Sequence, residues 1–143
     1  MAVLSALEPK EVFSYFEKLC AVPHGSYNTK QISDLCVGFA QELGLRWRQD
    51  EINNVIIWKD ATPGYEQADA VILQGHIDMV CVKTKDCAKD MAKEGLDLVT
   101  DGEWVWADKT SLGGDNGIAV AMILAILADK ELPHPALEAV FTV

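Results

Sequence analysis

His76 and Asp78, two side chains able to take part in metal binding, follow an apolar run at residues 71–75. A short run rich in Val and Ile is typical of a buried strand. Ligand-binding side chains of α/β proteins tend to lie where such strands end. An imidazole nitrogen binds the cation there, while a nearby carboxylate fixes the ring. The pair therefore indicates a metal site, but a histidine bonded to backbone groups and a turn carboxylate fit the same residues.

Asp115 is the third candidate, since it lies among Gly113, Gly114 and Gly117 directly before a long helical stretch. Glycines at this density allow the backbone to approach a bound group closely. The N–H groups at the start of the helix point towards the same place. No Lys-Ser or Lys-Thr follows the glycines, so the segment is not a nucleotide-binding P-loop. A carboxylate held there suits a metal ligand, but from these residues alone capping of the helix that follows is the slightly favoured interpretation of Asp115.

Helices and strands alternate along the chain, which predicts an α/β fold. Hairpin-like early strands favour a mixed sheet over a wholly parallel one. One helix begins near Pro9 and stops before Pro23, and a second, opened by a capping box at residues 28–31, stops at Gly44. A third, apolar nearly all round, covers residues 117–129. Strands are predicted at residues 45–49, 55–58, 71–76, 103–107 and 137–143, and residues 83–95 form a surface excursion.

Composition narrows the functional classes. With 143 residues, half of them hydrophobic, the chain is a folded single domain or part of one. The formal net charge of −10 argues against a nucleic-acid partner. No secretory signal is visible, and the longest apolar run, residues 117–128, is too short to cross a bilayer. We therefore expect no nucleic-acid or membrane partner and a cytoplasmic location.

The remaining chemically active side chains have ordinary interpretations. The four cysteines, none in Cys-x-x-Cys spacing, are predicted to be reduced and structural. His24 and His134 are predicted to be ordinary loop histidines. The four tryptophans lie in strand patterns and are predicted to pack in the core or in an interface. The last apolar strand continues to the end of the sequence without a polar turn, which suggests a truncated domain. These cysteines and tryptophans are Cys20, Cys36, Cys81, Cys87, Trp47, Trp58, Trp104 and Trp106.

Taken in order, several stretches resemble the metallopeptidases of the M20 clan, and within it the aminoacyl-histidine (Xaa-His, carnosinase-like) dipeptidases. The most discriminating is the stretch around Asp115. The stretches that carry the resemblance are residues 22–27 (VPHGSY), 50–54 (DEINN), 73–79 (LQGHIDM), 101–104 (DGEW) and 110–118 (TSLGGDNGI). The resemblance implies a three-layer sandwich with a mixed sheet, the aminopeptidase-like zinc-peptidase catalytic domain. Residues 1–143 would then be its N-terminal part.

By this resemblance His76 ligates one zinc ion, Asp115 bridges two, and Asp78 is the catalytic-site aspartate that hydrogen-bonds the His76 ring. Two zinc ions share a water that attacks a dipeptide, with Mn²⁺ or Co²⁺ as possible substitutes. A cis Asp115–Asn116 peptide bond is expected. The family's glutamate base, its further ligands and its lid or dimerisation domain have no counterpart here. We therefore expect the 143-residue chain to be inactive, and a homodimer only in the full-length protein.

Two other functions remain open. Within the same clan, a deacylase or an aminotripeptidase would use the same metal chemistry on a different substrate. A non-catalytic binding domain is the third possibility, because an exposed strand edge at residues 137–143 could pair with a partner.

Overall fold

The computed structural model describes residues 2–143, which form three α-helices, a four-stranded sheet and a separate two-stranded sheet. The helices predicted from the sequence are all present, although no side-chain hydrogen bond caps α2, so the predicted capping box is wrong. The elements in chain order are α1 (Lys10–Cys20), α2 (Lys30–Glu42), β1 (Arg46–Gln49), β2 (Val55–Lys59), β3 (Val71–His76), β4 (Leu98–Thr100), β5 (Val105–Ala107), α3 (Gly114–Ala128) and β6 (Leu137–Thr142).

The larger sheet has the strand order β1-β2-β6-β3. The strands β1, β2 and β6 pair antiparallel, whereas β3 runs parallel to β6. The predicted mixed sheet is therefore confirmed. The predicted exposed edge at residues 137–143 is wrong, because β6 lies inside the sheet with a paired neighbour on each side. The strand's mostly apolar sequence agrees with this central position, and β1 and β3 form the edges.

One face of this sheet forms the floor of the core. Along β2 and β6, fully buried side chains alternate with half-buried ones, as expected for a sheet covered on one face. The helices α2 and α3 pack on the covered face, where Gln49 bonds Ser33 of α2 and Gly75 approaches Val120 of α3. Over residues 2–143 the opposite face carries no helical layer, so the third layer of the predicted sandwich is not formed by these residues.

The four tryptophans lie outside the core, so the prediction of core packing is wrong for them. Trp47, Trp104 and Trp106 are exposed, and Trp58 lies on the half-buried face with its ring against the Arg46 guanidinium. Trp106 belongs to β5, which pairs with β4 in a short two-stranded sheet, and Trp104 lies directly before β5. The sequence analysis missed β4 (Leu98–Thr100).

The four cysteines are free thiols, as predicted. Cys20 and Cys36 are buried in the core, and burial raises the pKa of both thiols to about 12. Cys81 is exposed and Cys87 partly exposed. None of the helices within residues 2–143 has the length and apolar character needed to span a bilayer.

Two isoleucines test which face of the sheet is the core. Ile57 is completely buried in β2, whereas Ile72 of β3 is 66% exposed. Ile57→Ala should lower the free energy of unfolding by about 2–5 kcal/mol, because the substitution leaves a cavity. Ile72→Ala should cost less than about 1 kcal/mol, the range of strand propensity alone. Urea unfolding of both variants measures this difference, and equal losses would contradict the assignment of the faces.

Candidate active site

The site forms where the end of β3 meets the beginning of α3. Gly75 allows this contact, because a Cβ atom there would lie 2.9 Å from the Asn116 Oδ1 atom and 3.1 Å from a Val120 methyl group. The backbone N–H of His76 donates to the same Asn116 oxygen over 3.3 Å. A glycine in β3 thus brings the strand end close enough to α3 for His76 and Asp115 to meet.

The first turn of α3 is irregular, and this irregularity presents Asp115. Gly113 precedes the helix in the left-handed conformation, with a φ of 71°, and Asp115 and Asn116 have non-helical dihedral angles. The Asp115–Asn116 peptide bond is cis, as predicted. The Asp115 side chain makes no capping hydrogen bond and is 92% exposed. The capping alternative for Asp115 is therefore wrong, and its carboxylate is free to bind another group.

Asp78 fixes the orientation of the His76 ring. His76 Nδ1 lies 3.0 Å from the Asp78 carbonyl oxygen and 3.1 Å from the Asp78 Oδ1 atom. A carbonyl oxygen only accepts hydrogen bonds, so Nδ1 must be the protonated nitrogen. In the neutral imidazole, Nε2 then carries the lone pair. This is the tautomer that a metal-binding histidine needs, held by the carboxylate that the sequence analysis assigned to this task.

His76 Nε2 lies 3.2 Å from the Asp115 Oδ1 atom. In the neutral ring, a lone pair and a carboxylate would face each other without a positive charge between them, so the geometry favours a cation. Protonation supplies one. Burial by itself lowers the pKa of His76, but hydrogen bonds to Asp78 and Asp115 and the charges of both carboxylates outweigh burial and raise this pKa. A metal ion bound to both atoms would satisfy the same requirement.

The donor set fits zinc as half of a site. Nitrogen and oxygen ligands of a tetrahedral zinc ion lie about 2.0–2.2 Å from the metal, which separates two ligands by roughly 3.3 Å. The observed 3.2 Å between His76 Nε2 and Asp115 Oδ1 matches that separation. Within residues 2–143, no group of three or more His, Cys, Asp or Glu side chains is placed to hold one ion. His76 and Asp115 could therefore provide two ligands of a zinc site, whereas a closed site needs more.

Ser26 is a neighbour of the site that the sequence analysis did not single out. Its Oγ atom donates to the Asp78 Oδ2 atom over 2.5 Å, although the two residues are 52 positions apart in the chain. Ser26 lies in the VPHGSY stretch at residues 22–27, one of the stretches that carried the family resemblance. That stretch was the available signal, but no spacing rule connects a serine there with an aspartate after β3.

The other two histidines have structural partners. His24 is buried in its loop, and its Nδ1 donates to the Val22 carbonyl oxygen over 2.7 Å. Burial lowers the pKa of His24, and the bond to Val22 and the charge of Asp78 only partly offset that effect. His134 is also buried, with Nδ1 donating to the Pro135 carbonyl oxygen over 2.7 Å. Their assignment as ordinary loop histidines agrees with these contacts.

The fold and these residues together define a part of a peptidase-like α/β domain. In sequence, the chain is similar to the cytosol non-specific dipeptidase of Escherichia coli (strain K12). The two are 42% identical over 142 residues, which are 99% of this chain and 29% of that protein. No protein-family model matches the chain.

In structure, the chain is similar to the aminoacylhistidine dipeptidase of Vibrio alginolyticus. The TM-score is 0.93 and the identity 41%, over 98% of this chain and 29% of that one. The resemblance to such dipeptidases is therefore confirmed, and the chain spans less than a third of the length of either relative. A tripeptidase from Staphylococcus aureus has the same fold, with a TM-score of 0.73 and 20% identity over 94% of this chain and 36% of its own.

Two glycines test how α3 is positioned. Gly113 and Gly44 have similar positive φ angles, 71° and 66°, but only at Gly113 would an added Cβ meet Met79, at 2.9 Å from the sulfur and 3.0 Å from Cβ. Gly44→Ala should lower the free energy of unfolding by about 1–2 kcal/mol, the cost of a left-handed alanine. Gly113→Ala should cost about 1–3 kcal/mol more through overpacking. Urea unfolding measures both, and equal losses would show that Met79 does not constrain this turn.

Proposed function

We propose that this chain is part of the catalytic domain of an M20-type metallopeptidase that hydrolyses dipeptides at a two-zinc site. One observation carries the proposal: the Nε2 atom of His76 lies 3.2 Å from the Asp115 carboxylate, the spacing of two ligands on one cation. The similarity to two dipeptidases over nearly the whole chain supports peptides as the substrate class.

Each residue of the site has a distinct task in this mechanism. His76 would hold one zinc ion through Nε2, and Asp78 accepts the proton of Nδ1 so that Nε2 is left for the metal. Asp115, whose carboxylate is exposed beside the ring, would hold both ions. When bound, paired zinc ions lower the pKa of a shared water and polarise the peptide carbonyl. Mn²⁺ or Co²⁺ suits the same nitrogen and oxygen ligands.

The set of catalytic groups in this chain is incomplete. Two ligands among residues 2–143 are too few for two zinc ions in catalytic geometry. A general base that activates the water is needed as well. We propose that a longer protein, of the length of the relatives, supplies the missing ligands and the base. By the same reasoning, the 143-residue chain alone should be inactive.

The preferred substrate is a dipeptide with a C-terminal histidine. The name of the Vibrio relative supports this preference, whereas the E. coli relative is called non-specific. An aminotripeptidase or a deacylase of the same clan is the second candidate. The similarity of this chain to the Staphylococcus tripeptidase concerns the fold alone and does not favour that candidate over a dipeptidase. A partner-binding domain is a weaker third, because the strand that would offer the binding edge is paired on both sides.

Location and assembly follow as further proposals. The name of the E. coli relative places that protein in the cytosol, which supports a cytoplasmic location here. A homodimer is proposed only for the longer protein. The net charge of −10 supports the expectation that nucleic acids are not partners.

Hydrolysis assays test this function directly. The protein to assay contains this chain, is as long as the relatives and is loaded with zinc. It should cleave β-alanyl-histidine faster than a tripeptide or an N-acyl amino acid. His76→Ala and Asp115→Ala should each abolish the activity, because each removes a zinc ligand. The control is His134→Ala, which changes a histidine away from the site. Activity that survives both ligand substitutions would contradict the site, and peptide hydrolysis by the zinc-loaded 143-residue chain would contradict the proposed incompleteness.

A further inference from the structure

The loop at residues 22–28 runs beside the chain that follows β3. Gly25 and Met79 form a parallel bridge, the Met79 N–H donates to the His24 carbonyl oxygen over 2.9 Å, and the Ser26 N–H donates to the Met79 carbonyl oxygen over 3.1 Å. These backbone bonds fix the loop against the segment that carries Asp78. They do so without using the Ser26 hydroxyl group.

The Ser26 hydroxyl instead bonds the Asp78 carboxylate. Its Oγ atom lies 2.5 Å from the Asp78 Oδ2 atom, the length of a strong hydrogen bond to a charged acceptor. Its other contact, with the Met79 carbonyl oxygen, is long at 3.5 Å. The two oxygens of Asp78 therefore have different partners, since Oδ1 faces His76 Nδ1 and Oδ2 faces Ser26.

We infer that Ser26 is a positioning residue, which orients the Asp78 carboxylate so that the carboxylate orients His76. The inference rests on the proposed function, in which Asp78 serves the zinc ligand. A carboxylate bonded at one oxygen can still rotate about its side-chain bonds. A second, short bond at the other oxygen fixes its plane and keeps Oδ1 directed at the imidazole. Groups in this outer position commonly determine how well a histidine binds its metal.

Nuclear magnetic resonance of the metal-free chain tests this role. Three-bond couplings of Asp78 should report one staggered rotamer in the parent chain. In Ser26→Ala the couplings should be averaged over several rotamers, and in Ser26→Thr, which retains the hydroxyl, they should return to the parent values. Ser5→Ala is the matched control, because it removes a serine hydroxyl that bonds only the Ala2 carbonyl oxygen. Its Asp78 couplings should not change.

The backbone amide spectrum of the same samples shows whether each variant folds. If Ser26 only stabilised its own loop, Ser26→Ala would change the amide signals of residues 22–28. If Ser26→Ala does not fold, Ser26→Cys replaces it, because a thiol is only a weak donor. An Asp78 that stays in one rotamer without the hydroxyl would overturn the inference.

Zinc titration by calorimetry separates this inference from the proposed function. If the parent chain binds zinc, Ser26→Ala should bind it about tenfold more weakly, and Ser26→Thr should restore the affinity. Unchanged affinity in Ser26→Ala would overturn the role of Ser26. If the parent chain binds no zinc, averaged Asp78 couplings in Ser26→Ala still support the positioning role of Ser26. The absence of zinc binding would then count only against the proposed zinc site.

Discussion

The close contact between the end of β3 and the first turn of α3 is the constraint on which the site depends. Gly75 permits this contact, because any larger residue would meet Asn116 and Val120. On one side of the contact the strand presents His76, and on the other the irregular turn presents Asp115. The distance of 3.2 Å between their binding atoms follows from this packing. The core face of the sheet, with β6 at its centre, keeps β3 in place beneath the helix.

Electrostatics then determines what the contact can bind. His76 Nδ1 faces two acceptors of Asp78, which leaves Nε2 as the nitrogen that faces Asp115. The resulting pair of acceptors favours a positive charge: burial alone would lower the pKa of His76, but its hydrogen bonds to Asp78 and Asp115 and the charges of both carboxylates raise this pKa. Protonation and metal binding therefore compete for one nitrogen. The preference for a positive charge between these two side chains is a property of the fold.

The sequence was sufficient to predict that His76 and Asp78 follow a strand and that Asp115 lies at a helix start, because a strand end and a glycine-rich helix start are local patterns. Hairpin-like early strands predicted the mixed sheet, and the family resemblance implied the cis bond after Asp115. It failed where structure depends on distant partners. The central position of β6 arises from pairing with β2 and β3, the exposure of Trp47 arises from its place on the edge strand β1, and the contact of Ser26 with Asp78 joins two loops. None of these can be deduced from the spacing of residues along the chain.

Zinc titration by calorimetry of the 143-residue chain, beside His76→Ala and Asp115→Ala, tests the central claim most directly. The account predicts weak binding in the parent chain that is lost in both variants, because the two side chains form half of one metal site. A His134→Ala variant serves as control, since this buried histidine lies away from the site, bonds the Pro135 carbonyl oxygen and should leave zinc binding unchanged. Binding that survives both His76→Ala and Asp115→Ala would place the metal elsewhere and contradict the account.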